Sequence, residues 1–371
     1  ATTAIAKVYD GGSNISAATL NYDAATIAIL ANDNVTLTST GTYNDKNVGV
    51  AKAVDINVRL TGTDASNYAL STTRIMGNYG TITQLPSVTW VGPRSGGYWS
   101  NASYWLNGAL PDQSNVGTVY VPTATTIVFD SALVGHVNSF IVNSGNIAFE
   151  GANSFNFASN VSGTGDITQS GSGTLTISGN NSLSGQVNIN SSRLLVANSN
   201  ALGTASLVSN GGFFGVVSGT ILTSLDVNGP INLTSDIYTV GTQIYNGPVT
   251  LTAGNGVTTP MTLFSQNADI LFNSTLDAGL GSKSALRSLT VSALNGNVTF
   301  NGRVGDEPRY YSDYIANLTN DKNIYQLIVN AKQIGLNADI TTFESQLYNG
   351  AVLVGDNGAN GLTRLLLSVD P

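Results

Sequence analysis

One stretch of this chain has a near-copy further on, with 10 of 19 positions identical. Ile231-Asn-Leu-Thr-Ser-Asp236-Ile237-Tyr-Thr-Val-Gly-Thr-Gln243-Ile-Tyr245-Asn246-Gly247-Pro-Val249 returns, ungapped, as Ile334-Gly-Leu-Asn-Ala-Asp339-Ile340-Thr-Thr-Phe-Glu-Ser-Gln346-Leu-Tyr348-Asn349-Gly350-Ala-Val352, at an offset of 103 residues. A repeated strand–turn–strand unit cannot bury its apolar face alone and does so by stacking on a neighbour. An extended rod that displays a surface is therefore the first expectation, and an enzyme the second.

Composition fits that constraint. Only 10% of the 371 residues are charged, against about 25% in an ordinary globular domain. The polar surface must come from Asn, Ser, Thr and Gly, which suit turns and strand faces better than helix interiors. At 42% hydrophobic residues a core is available. The net charge is −8, and Arg193 is the one cation between Arg94 and Lys283. With no basic stripe to neutralise phosphates, nucleic acid is not an expected partner. Anionic lipid is disfavoured for the same reason. No run of 18 apolar residues offers a membrane span, so direct membrane insertion is not expected. There are no cysteines, hence no disulfide framework, thiol nucleophile or Cys-based zinc site. No leader opens the chain at Ala1, which reads as a mature product or an excised fragment.

Residues 1–85 read as one small β-rich domain. Val35–Thr40, Val54–Leu60 and Tyr79–Thr83 alternate apolar and polar residues at period two. A short helix is expected around Asp23–Leu30. Four motifs follow in order: Lys7-Val8-Tyr9-Asp10-Gly11, Tyr43-Asn-Asp45-Lys46-Asn47-Val48-Gly49, Leu60-Thr-Gly62-Thr-Asp64-Ala65-Ser-Asn67-Tyr68 and Tyr79-Gly-Thr-Ile82-Thr. Together they resemble the YDG domain, a module of large bacterial surface adhesins. The opening departs slightly, continuing Gly11-Gly-Ser where threonines are usual. The resemblance implies a stalk module, Ig-like or β-grasp-like. Leu85-Pro86 is the expected boundary, since Pro removes a ladder donor.

Residues 86–130 hold all three tryptophans. Val88-Thr-Trp90-Val-Gly92, Tyr98-Trp99-Ser-Asn101-Ala-Ser-Tyr104-Trp105 and Leu110-Pro111-Asp112 resemble the opening motif of bacterial β-solenoid passengers. Large aromatics would plug the open apolar end of a first rung.

Residues 131–371 read as a right-handed parallel β-helix. Gly163–Val196, containing Thr174-Leu175-Thr-Ile177 and Val187-Asn-Ile189, resembles the autotransporter-associated β-strand repeat. Leu175 and Ile177 fall on one face, as do Val187 and Ile189. Ala268–Phe272 and Ser288–Gly302 resemble rungs of filamentous-haemagglutinin-type exoproteins, with coils of roughly 20–30 residues. An excursion from the rod is expected at about 304–326. The end, Leu362–Val369, is apolar and lacks a cap signature, so the native chain is expected to run beyond Pro371.

Chemistry-bearing residues concentrate in the excursion. Asp306, Glu307, Arg309, Tyr310, Tyr311, Asp313 and Tyr314 gather charge and aromatics in a charge-poor chain. Tyr faces stack on sugar C–H groups, while Arg and Asp fix hydroxyls by directional hydrogen bonds. The bland alternative is a loop that pairs its own charges. Tyr98, Trp99, Tyr104 and Trp105 are a second candidate sugar platform, against the end-plug reading. Paired carboxylates for glycoside cleavage need a set separation across a cleft. Adjacent Asp306 and Glu307 would point apart in a strand, so no catalytic residues are assigned. His136 is the sole histidine and reads as a turn residue. The Asx-rich turns at 320–323 and 356–358 match no calcium-loop pattern and would admit incidental Ca2+ only. No cofactor is expected.

The expected whole is an all-β segment of a secreted bacterial cell-surface adhesin, non-enzymatic, with a YDG stalk module ahead of a solenoid. Its expected partner is a glycan, an exopolysaccharide or a partner-cell surface, in attachment or biofilm formation. The family resemblance implies export through an outer-membrane transporter. A purely structural spacer and, further off, a β-helix polysaccharide-degrading enzyme are the alternatives.

Overall fold

The computed structural model describes residues 5–15, 29–30, 32–130, 139–252, 260–279, 287–305 and 323–355, and the backbone of 366–368. Among these the regular structure is strand, apart from single 3-10 turns such as Ala102–Tyr104 and Leu106–Gly108. The chain divides into two compact units: Ala1–Pro122 with His136–Val142, and Thr123–Gly135 with Asn143–Pro371.

The first unit opens with five strands: β1 (Ile5–Val8), β2 (Asn14–Ile15), β3 (Thr36–Tyr43), β4 (Gly49–Thr61) and β5 (Arg74–Thr83). They form one mixed sheet in the order β1-β5-β4-β3-β2, with β1 parallel to β5 and the other pairs antiparallel. Among the described residues there is no second sheet of an Ig-like sandwich. Period-two alternation buries Ile5, Ile15, Tyr43, Val54, Ile56 and Ile82. The helix expected around 23–30 lies almost wholly outside the described residues. Two further strands, β6 (Leu85–Thr89) and β7 (Val116–Val121), pair in parallel. Pro86 thus sits within a strand rather than at a break. Residues 1–122 belong to one unit.

The second unit is a parallel β-helix with three strands per coil. The coil that starts at Gln243–Tyr245 (face A) continues through Val249–Leu251 (face B) and Met261–Ser265 (face C). The next coil repeats the circuit with Ile270–Phe272, Leu276–Ala278 and Leu289–Ala293, each parallel to its counterpart. Short apolar-polar strands suit this geometry because every second residue points inward.

Face A shows how coil length varies. Asn146 pairs with Thr126 and Asp166, Val187 with Ile167, Ser206 with Gln186 and Val227 with Leu207, a period of 20 residues. Gln243 then pairs with Leu225, an 18-residue coil. Coils of 27, 28 and 36 residues follow, from Gln243 to Ile270, Val298 and Ile334, and Ile334 to Val352 is again 18. In the three long coils the wider sequence gap is the one between the face-B position and the face-C strand: Leu251 to Met261, Ala278 to Leu289 and Val304 to Leu327. The described flanks of the last are regular: Val304 bridges Leu276 and Ile340, and Ile324 bridges Thr342.

Inside, like side chains stack from coil to coil. Tyr245, Phe272 and Phe300 lie 5.1 Å apart in succession, with interplanar angles of 9° and 4°. That separation follows from the ~4.8 Å spacing of neighbouring strands. Outside, one residue on, the Asn273 side chain donates to Asn246 at 2.7 Å. Asn301 donates to Asn273 at 2.8 Å and Asn337 to Asn301 at 2.7 Å. Corners need close backbone approach. Gly163 has φ +104°, and a Cβ there would overlap the Asn143 carbonyl of the coil beside it.

Candidate functional site

The expected primary site, Asp306, Arg309, Tyr310, Tyr311, Asp313 and Tyr314, lies outside the described residues, as do Glu307 and His136. The second expected site is described, and its four side chains do not share one exposed platform. Trp99 and Trp105 are 0% and 1% exposed, while Tyr98 is 58% exposed. Trp105 packs edge-on to Trp99 at 4.7 Å and to Trp90 at 5.2 Å. Trp105 Nε1 donates to the Trp99 carbonyl at 2.8 Å and Trp99 Nε1 to the Pro111 carbonyl at 3.0 Å. Indoles held in this way fill a local core and present no face to a ligand. Tyr104 is half-buried against Trp90 at 5.2 Å.

The described surface best suited to a ligand is the outward side of face C. Its strands are Ile237–Thr239, Met261–Ser265, Leu289–Ala293, residues 327–331 and residues 346–349, all parallel. Ile237, Leu263, Val291 and Val329 point into the core, so their neighbours point out. One outward row runs Tyr238, Phe264, Ser292, Asn330, Asn349, and the adjacent row includes Thr262, Thr290 and Ile328. Tyr238 and Phe264 are half-buried, with ring centroids 5.9 Å apart at 44°.

Local hydrogen bonds fix this platform. Asp236 Oδ1 accepts the Thr262 amide at 2.8 Å, tying the first two rungs at their start. Asn349 Nδ2 donates to Asn330 Oδ1 at 2.8 Å, tying the last two. Beneath the rings, Gln243 is buried and fully engaged. Its Nε2 donates to the Phe264 carbonyl at 2.8 Å, and its Oε1 accepts from the Tyr245 hydroxyl at 3.0 Å. Burial pushes the Tyr245 hydroxyl far above its ordinary range.

Chemically, the face offers two aromatic surfaces followed by hydroxyls and carboxamides. Among the described residues of these two rows, the titratable groups are the Tyr238 phenol and, at the first edge, the Asp236 carboxylate that accepts the Thr262 amide. Among the described residues no cluster of three or more His, Cys, Asp or Glu could hold a metal ion. No helix among them is long and apolar enough to cross a membrane. The signal that marks Tyr238 and Phe264 is present in the sequence. Each is an aromatic residue on the polar phase of an alternating strand.

No curated protein and no solved structure matches the chain. Residues 1–75 match the family model of the YDG domain, the segment that carries β1 to the start of β5.

Proposed function

We propose that this chain is a segment of a secreted bacterial surface adhesin that holds a glycan or exopolysaccharide on the outward side of face C. The observation that carries this reading is the Tyr238–Phe264 ring pair at 5.9 Å, outward on adjacent parallel strands. Aromatic faces pack against sugar C–H groups, and the amide and hydroxyl groups of Asn330, Ser292 and Thr290 give direction through hydrogen bonds. A polymer lying across the strands would meet an equivalent row of side chains every ~4.8 Å. The mechanism is non-covalent recognition, with no bond made or broken. The YDG match supports the setting, since the module resembles those of bacterial surface adhesins. Presentation at the outer cell surface, and export through an outer-membrane transporter, belong to the same proposal.

A spacer is the second reading, and one observation favours it. The Asn246, Asn273, Asn301 and Asn337 side chains are bonded to one another, so that row serves the rod itself.

Screening the whole chain against immobilised glycans, bacterial exopolysaccharides included, separates the two readings. A specific ligand whose capture weakens at least about tenfold in Phe264→Ser supports the adhesin; each tenfold is about 1.4 kcal/mol. Retention of no glycan moves the function to the spacer reading.

A further inference from the structure

The motifs that make the YDG module recognisable are buried against the turn ahead of β7. Tyr9 is 1% exposed, and its hydroxyl donates to the Leu110 carbonyl at 2.8 Å and to Asp112 Oδ1 at 3.3 Å. Lys46 Nζ lies 2.7 Å from Asp112 Oδ2 and 5.9 Å from the Tyr9 ring centroid. Asn115, also 1% exposed, is held on three sides. Its Oδ1 accepts the Val48 amide at 2.9 Å, and its Nδ2 donates to Asn47 Oδ1 at 3.0 Å and to Asp112 Oδ1 at 2.7 Å. Gly11 has φ +82°, and a Cβ there would overlap the Gly108 carbonyl oxygen.

The turn is shaped to meet these groups. Asn115 closes it by donating its amide to the Asp112 carbonyl at 3.1 Å, and Gln113 inside it has φ +50°. A left-handed non-glycine residue persists where its surroundings hold it. The Leu85 amide donates to the Asn115 carbonyl at 3.0 Å, and Gln84 Nε2 to the Ser114 carbonyl at 2.9 Å. All of these residues belong to the first unit.

We propose that the module's signature is a docking socket for a Pro-Asp-x-x-Asn turn. Tyr9, Gly11, Lys46, Asn47 and Val48 receive the turn Pro111–Asn115, and the module is thereby locked to the β6–β7 pair instead of swinging on a linker. The partner that the socket fits is a turn offering one main-chain carbonyl, one carboxylate and one buried carboxamide. Neither the Tyr-Asp-Gly motif nor the Asp-Lys-Asn-Val motif is then a site for a small ligand.

Hydrogen exchange on the whole chain tests this. In the unaltered protein, the amides of Tyr9 and Val48 exchange as slowly as those of β7. In Asp112→Ala/Asn115→Ala they exchange at least about tenfold faster, while Gln186–Asn190 in the second unit is unchanged. Rates within about twofold of the unaltered chain would overturn the socket. If the double variant unfolds the whole first unit, Lys46 decides. Lys46→Arg keeps the slow exchange and Lys46→Met loses it if the socket is real, whereas equal behaviour of the two overturns it.

Discussion

Tyr245 donates its hydroxyl to Gln243 Oε1 at 3.0 Å, and at an offset of 103 residues Tyr348 donates to Gln346 at 2.9 Å. Two further bonds of the brace are duplicated as well. Gln243 Nε2 reaches the Ile237 carbonyl at 3.3 Å and Gln346 Nε2 the Ile340 carbonyl at 3.2 Å. Thr239 bonds the Gly241 carbonyl and Thr342 the Glu344 carbonyl, both at 2.6 Å. Yet the copies occupy different faces. Gln243 lies on face A, paired with Leu225, whereas Gln346 lies on face C, paired with Leu327. What recurs is a self-contained corner brace with strands at six-residue spacing. Because the three faces are alike in backbone, the same brace fits after rotation to the next face.

The two copies differ in burial, so equal substitutions will have unequal effects. Gln243→Ala leaves the buried Tyr245 hydroxyl and Phe264 carbonyl short of a partner and opens a cavity, at about 2–4 kcal/mol. Gln346 is only half-buried, and Gln346→Ala will cost about 1 kcal/mol. Denaturant titration of each variant measures the difference.

Phe272 sits between two stacked rings and is fully buried. Phe272→Ala removes both contacts and is expected to cost about 3–5 kcal/mol. Phe272→Leu keeps most of the volume and should cost less than about 1.5 kcal/mol. Tyr238→Ala, on the outward side, should stay within about 0.5–1 kcal/mol. Thermal unfolding ranks the three.

Gly163→Ala should be far more damaging than an exposed glycine substitution. The added Cβ meets the Asn143 carbonyl at a left-handed φ. Gly219→Ala is the control in the same unit: it is exposed and its φ is also left-handed at +84°, but nothing lies within 4 Å. Protease resistance of the second unit will fall in the first variant, and that unit will be unchanged in the second.

Acid titration should expose one ion pair in the first unit. Lys52 Nζ lies 2.6 Å from Asp45 Oδ1, and that hydrogen bond holds the Asp45 carboxyl below its ordinary value of 3.8. A folded-state pKa below the unfolded one stabilises above the unfolded value, and the contribution is lost as pH falls through the folded one. Stability of β3 and β4 should therefore drop as pH falls below about 3.9. Lys52→Met should return the Asp45 titration to the ordinary range, as followed by carboxyl NMR shifts.

Much of the fold is legible in the sequence because alternation and turn chemistry are local. The inward set Leu175, Ile177, Val187 and Ile189 follows from period two alone. The solenoid follows from the Ile231/Ile334 repeat, although the rotation between its copies depends on coil length, which no local pattern records. In sequence the tryptophans read first as a plug and only second as a platform, and the burial of Trp99 and Trp105 rules against a shared exposed platform. The Tyr238–Phe264 pair escapes a linear reading because its partners are 26 residues apart and meet only through coil stacking. The Tyr9–Asp112 contact is likewise invisible without the fold, at 103 residues' separation.

The most direct test of the adhesin account is calorimetric titration of a retained polysaccharide against the unaltered chain and against Tyr238→Ala/Phe264→Ala. The account predicts loss of at least about tenfold in affinity, with the melting temperature of the second unit nearly unchanged. Undiminished affinity in the double variant would contradict it.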